Sequence, residues 1–227
     1  IDTTVAPASA YLGALGLTTG LTAYFGIVDV GQVKAGDTVV VSGAAGAVGS
    51  VAGQIARLSG ASKVIGIAGG AHKSKFLVDD LKFDAAIDYK NENVAARLDE
   101  LAPDGINVFF DNVGGDILEA ALNHINLKAR VVLCGGISGY NATAPIPGPS
   151  NIMNLVVMRG RMEGFIVIDY MPRAGEAIAD MLGWIQAGQL KYQVDMQEGF
   201  DNIPDTLNRL FTGKNIGKQL LKIADPS

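Results

Sequence analysis

Val39-Val40-Val41-Ser42-Gly43-Ala44-Ala45-Gly46-Ala47-Val48-Gly49 joins a β-branched run to a glycine turn, and Val48, Val51, Ala52, Ile55 and Ala56 then recur at helical spacing. A run that is apolar on both of its faces suits a strand covered from both sides, and the helical stripe that follows suits the cover. Gly60 stands where a left-handed cap would end that helix. Residues 63–68 supply a second strand, so 38–68 read as one βαβ unit. Gly43, Gly46 and Gly49 carry the spacing G-x-x-G-x-x-G within it. The turn glycines let the backbone approach a pyrophosphate, Gly49 allows close packing of helix on sheet, and free amides at the positive helix end face the phosphates. The spacing implies nucleotide binding, with a tight ligand-free turn as the plain alternative.

Further strand candidates follow at 85–89, 107–111, 130–135 and 162–168, separated by stretches of helical length. Ile178, Met181, Leu182 and Ile185 predict an amphipathic helix, and 203–211 and 216–223 a last helix and a last strand. The order implies an α/β fold with a doubly wound parallel sheet. Residues 1–30 read as a helical lead-in, interrupted by Gly13, Gly16 and Gly20.

Glycine, at 29 of 227 residues, exceeds the usual ~7%, which fits a backbone used for binding. A net charge of -5, with no block of like charges, argues against nucleic acid and anionic membranes as partners. The long uncharged stretches 3–28, 38–56 and 131–158 are broken by glycines, Ser/Thr or Pro145, Pro147 and Pro149, and so are poor membrane spans. Cys134 is the single cysteine and His72 and His124 the two histidines, which leaves no internal disulfide and no zinc cluster, and makes a cytoplasmic setting the expectation. The start at Ile1, without a signal peptide's pattern, suggests a piece of a longer chain.

The second strand ends Ile67-Ala68-Gly69-Gly70, where an NAD site would place a carboxylate on the ribose 2′-hydroxyl. His72, Lys73 and Lys75 follow instead, favouring NADP, although solvated lysines in a first helical turn would read the same way. No tyrosine has a lysine four positions on, which removes the short-chain dehydrogenase pair. A methyltransferase would want the missing acid.

The chain resembles the zinc-independent medium-chain dehydrogenase/reductases that include prostaglandin reductases, plant alkenal double-bond reductases and bacterial curcumin reductases. The resemblance runs from Gly16-Leu17-Thr18-Thr19-Gly20 through Ala44-Ala45-Gly46-Ala47-Val48-Gly49-Ser50, Phe110-Asp111-Asn112-Val113-Gly114-Gly115 and Ser138-Gly139-Tyr140-Asn141 to Gly213-Lys214-Asn215-Ile216-Gly217-Lys218. It implies a Rossmann-type cofactor domain at 31–190, a C-terminal helix and strand at 191–227 returning toward a substrate-side domain, and an N-terminal GroES-like domain that this chain lacks. Gly46, Ala47, Val48, Gly49 and Ser50 would hold the pyrophosphate of NADP, Lys73 its 2′-phosphate, and Tyr89 would lie near the adenosine. Asn112, the loop Cys134, Gly135, Gly136, Ile137, Ser138 and Tyr140, with Phe165, Ile166, Val167 and Asn215, would line the rest.

The reaction implied is reduction of the carbon–carbon double bond of α,β-unsaturated ketones or aldehydes, with hydride to the β-carbon and an enolate oxygen needing a donor. Tyr140 is the catalytic candidate, since its phenol can donate and the resemblance places its loop beside the nicotinamide. A packing residue, a plain core strand at 165–167, and Cys134 as a small buried hydrophobe are the structural alternatives. A quinone reductase and a non-catalytic NADP-binding module remain open as functions. A homodimer through the sheet edge at 161–168, and a chain that binds NADPH without efficient turnover by itself, are the remaining expectations. Lys82 stands where relatives often carry a glycine, and Gly136 where alanine is common.

Overall fold

The computed structural model describes residues 3–224. Six parallel strands, β1 Thr38–Ser42, β2 Lys63–Ala68, β3 Ala85–Asp88, β4 Ile106–Asp111, β5 Ile125–Leu133 and β6 Arg161–Gly164, form a sheet in the order β3-β2-β1-β4-β5-β6. That is the Rossmann-type order, with its switch point between β1 and β4. Alternation along β1 shows why the run is apolar on both faces. Val39 and Val41 enter one buried cluster with Ile55, Phe25 and Met181, whereas Val40 enters the other with Ile65, Phe109 and Leu122. Helices therefore cover both sides.

The helix Ala47–Leu58 follows β1 and is succeeded by Gly60 at φ +101°, as its cap requires. Residues 8–30 are helical in short pieces, parted around Gly13 and Gly16, and their Ala10, Ala14, Leu21 and Phe25 lie in the first cluster. Lys82 takes φ +60°, the left-handed conformation that glycine adopts without steric cost.

Several boundaries differ from the sequence expectation. β5 begins at Ile125 instead of 130, and it stops at Leu133 because the amides of Cys134 and Gly135 both turn to the carbonyl of Asp111, at 2.9 and 3.1 Å. β6 ends at Gly164 instead of continuing to residue 168; a short 3-10 helix, Val167–Arg173, begins soon after it. The edge strand proper is polar, with an Arg161–Glu163 ion pair, so an apolar strand edge is not what this margin offers. Finally, an unanticipated strand, β7 Val194–Glu198, pairs in parallel with β8 Lys218–Lys222, with the helix Ile203–Phe211 as crossover. The helix Ala174–Gln186 lies where the period of 178–185 predicts one.

Candidate functional site

The strand ends at the switch point open into a cleft of about 1290 Å³. Its floor is the turn after β1. Gly43 has φ +58°, and a Cβ on Gly49 would fall 2.5 Å from the Gly43 carbonyl oxygen, so the tight turn excludes side chains at both places. Gly46 caps the helix Ala47–Leu58 with no side-chain acceptor, which leaves first-turn N–H groups directed at the cleft. A segment distant in sequence closes this turn: the Gly217 amide donates to the Ala45 carbonyl at 2.8 Å, and Gly46 and Gly217 form an isolated parallel bridge.

Of the residues expected at the site, Gly46, Ala47, Val48, Gly49, Lys73, Tyr89, Asn112, Cys134, Gly135, Ile137, Ser138, Tyr140, Phe165, Ile166, Val167 and Asn215 all line this one cleft. Ser50 and Gly136 are not among its lining residues. Ser50 is buried and donates to the Ala47 carbonyl at 3.3 Å. Among the cations after β2 only Lys73 faces the cleft; Lys75 is paired with Asp79 at 2.6 Å on the outer side.

A buried carboxylate that the sequence reading quoted but gave no role organises the opposite wall. Asp111, at 0% exposure, accepts from Ser42 Oγ at 2.6 Å, from the Val113 amide at 3.0 Å and from the Gly114 amide at 3.0 Å. Ser42 in turn receives the Asn112 amide on Oγ at 2.8 Å and Asn112 Nδ2 on its carbonyl at 2.7 Å. The loop carrying Tyr140 hangs on this clamp: the Ile137 amide donates to Asn112 O, and Ser138 Oγ donates to Val113 O at 2.6 Å. Tyr140 is exposed, and its hydroxyl accepts from the Gly136 amide at 3.4 Å, leaving the O–H itself to donate into the cleft.

Cys134 lies beneath this wall. Burial, with the Asp111 charge adding to it, pushes its thiol up to about 12, so it stays protonated and inert. Asn215 donates its amide to Gly217 O at 3.1 Å. Lys90 and Lys218 also line the cleft and were missed as site residues. Lys218 lay within the quoted resemblance without a role; Lys90 follows Tyr89 at a strand end, and nothing local marks it. Burial lowers the Lys218 ammonium from its ordinary value. Among the described residues no group of three His, Cys, Asp or Glu side chains comes together as a metal site, and no helix is long and apolar enough to cross a membrane.

Residues 47–186 match the family described as zinc-binding dehydrogenase. The chain is 51% identical to the putative NADP-dependent oxidoreductase YfmJ of Bacillus subtilis, over 100% of this chain and 67% of the relative. It is 39% identical to the NADPH-dependent curcumin reductase of Escherichia coli over 94% of the chain and 63% of that protein. CurA of Vibrio vulnificus, solved in complex with NADPH, superposes with a TM-score of 0.91 at 43% identity, covering 96% of this chain and 66% of that one. The chain thus spans about two thirds of the length of these relatives.

Proposed function

Because the chain belongs to the zinc-binding dehydrogenase family, we propose that its cleft holds NADP(H), and that its full-length protein reduces the carbon–carbon double bond of α,β-unsaturated ketones or aldehydes. The observation that carries this reading is a single cleft running from uncapped helix amides and Lys73 to the Tyr140 hydroxyl. The residues fit the dinucleotide: amides at 47–49 for a pyrophosphate, a bare Gly69 where an acid would repel a 2′-phosphate, and Lys73 beside it. They do not fit the metal in the family's description, since the described residues assemble no ligand set and the Cys134 thiol is held protonated.

When bound, the reduced nicotinamide would supply hydride. The protein's part is to orient and to exclude water: Val167, the most buried residue of 165–167, and the Asn112 and Cys134 loops form the apolar and hydrogen-bonded walls. As charge grows on the substrate carbonyl oxygen, the free O–H of Tyr140 donates to it. The relative named as an NADPH-dependent curcumin reductase and CurA solved with NADPH support the cofactor, and these with a relative named prostaglandin reductase support the double-bond chemistry. We place residues 31–190 as the cofactor-binding unit and propose a homodimer in which the exposed Ile166 and Ile168, beyond the polar edge strand, are covered.

NADPH binding is measured by fluorescence titration of the chain, and enone reduction by NADPH absorbance on the full-length protein, with a quinone in parallel. Saturable NADPH binding and faster turnover of the enone support the reading. Faster turnover of the quinone, or NADPH bound without any turnover by the full-length protein, overturns it.

A further inference from the structure

We propose that Lys90 is the second cation of a two-lysine clamp which, with Lys73, grips a phosphate monoester on the ribose of a bound adenine dinucleotide; the inference rests on the NADP(H) reading above. Its geometry begins at Gly69. A Cβ at this position would lie 2.9 Å from Lys90 Cε and 2.9 Å from Tyr89 Cε1. The space into which a ribose-binding carboxylate would grow from the end of β2 is therefore filled by the lysine stem and the phenol ring. A side chain at 69 would push both of these exposed side chains aside, so glycine here keeps Lys90 over the turn as well as removing a negative charge.

The carboxylate nearest this turn is otherwise engaged. Asp88, buried at the end of β3, accepts from the Gly70 amide at 2.6 Å, the Lys90 amide at 3.1 Å and Asn91 Nδ2 at 2.7 Å. Burial opposes its ionisation, yet these donors hold the carboxyl below its ordinary range. With three donors of the protein on its oxygens, Asp88 is a tie between the turns after β2 and β3. Lys73 and Lys90 both line the cleft, near enough for the charge of one to act on the other.

Among the described residues neither ammonium has an ion-pair partner, in contrast to Lys75 with Asp79. Lys73 is half-buried, and burial together with the Lys90 charge lowers it from its ordinary value. Asp195 offsets part of this, but its carboxylate is bound to Arg209 at 2.7 Å. Asp88 and Asp195 act on these cations only at longer range, and two cations without an ion-pair partner suit a dianionic phosphate, whereas a plain ribose hydroxyl gains nothing from the second charge.

Lys90 is exposed, so Lys90→Ala leaves the fold intact. Calorimetric titrations with NADPH, NADH, adenosine 2′,5′-bisphosphate, adenosine 5′-monophosphate and inorganic phosphate would compare the wild-type chain with Lys90→Ala, Lys90→Arg and Lys73→Ala. The expected result is a loss of about tenfold or more for NADPH and the bisphosphate in Lys90→Ala. NADH and the monophosphate should be nearly unaffected, and Lys90→Arg should retain most of the wild-type affinity. NADPH affinity lost in Lys73→Ala but unchanged in Lys90→Ala would overturn the clamp while leaving the cofactor reading standing. Equal losses for NADPH and NADH would also overturn it, since Lys90 would then act on a shared part of the ligand. Inorganic phosphate binding as tightly as the bisphosphate would mark a free-phosphate site instead. A wild-type chain that binds neither dinucleotide would overturn the cofactor reading itself.

Discussion

Replacing Asp111 by asparagine keeps the shape of the buried clamp while removing its charge and one acceptor. Oδ1 takes Ser42 Oγ, the Val113 amide and, at 3.1 Å, the Gly114 amide, whereas Oδ2 takes the Gly114 amide alone. The carboxamide oxygen therefore belongs at Oδ1, which turns the new NH2 toward the Gly114 N–H. The bonds from Ser42 Oγ and the Val113 amide fall from charge-assisted to neutral strength, about 1 kcal/mol each, and the Gly114 amide, left with only its longer contact to Oδ1 and facing a new donor, costs about 1–3 kcal/mol. Relief of the buried charge returns part of this, so the net destabilisation should be roughly 2–4 kcal/mol. Urea unfolding followed at unchanged slope measures it. Hydrogen exchange supplies a local check, because the amides of Ile137 and Ser138 donate to Asn112 O and Val113 O, the residues the clamp holds. They should exchange faster in the variant even under conditions where it is fully folded. A stability loss below ~1 kcal/mol, or protection at 137 and 138 equal to the wild type, would show that Asp111 does not organise the Tyr140 loop.

Tyr140→Phe in the full-length protein should lower enone turnover with NADPH affinity nearly unchanged; an unchanged turnover number with hydride transfer rate-limiting would demote Tyr140 to packing. Gly49→Ala must displace backbone, since its Cβ would sit 2.5 Å from Gly43 O and 2.8 Å from Ala44 Cα, so fluorescence titration should show NADPH and NADH weakened together. The Cys134 thiol, raised to about 12 by burial and by Asp111, supplies almost no thiolate below that pH. Iodoacetamide at mildly alkaline pH should therefore label it far more slowly in the native chain than in denaturant, and equal rates would refute the burial argument. Light scattering at micromolar concentration should report a dimer's mass for the full-length protein; a monomer would leave Ile166 and Ile168 exposed for another reason.

What could be read along the chain was local and periodic. The alternation of Val39, Val40 and Val41, the stripe through Ile55 and the three turn glycines all follow from neighbours in sequence, and each lies where the pattern puts it. β7 was missed because Val194-Asp195-Met196-Gln197-Glu198 is half polar and needs a partner from 218–222 to become a strand. The end of β6 was misplaced because Phe165-Ile166-Val167 is apolar for the sake of the cleft wall and a short helix, not a sheet. Asp88, Lys90 and Asp111 acquire their roles only when distant turns meet. A lysine after a strand looks like any solvated lysine until Gly69 is found beneath it.

The stitch between Gly217 and the Ala45 carbonyl means that the phosphate-binding turn is completed by a segment made long after it. On the ribosome, β1 and its helix can form early from contacts close in sequence. The carbonyl side of the turn still waits for 217 to emerge and return, a closure spanning most of the described residues. Such non-local closure is slow, and it makes the cradle for the cofactor a late product of folding. A nascent chain that had not yet brought Gly217 back to Ala45 would offer a dinucleotide only half a grip.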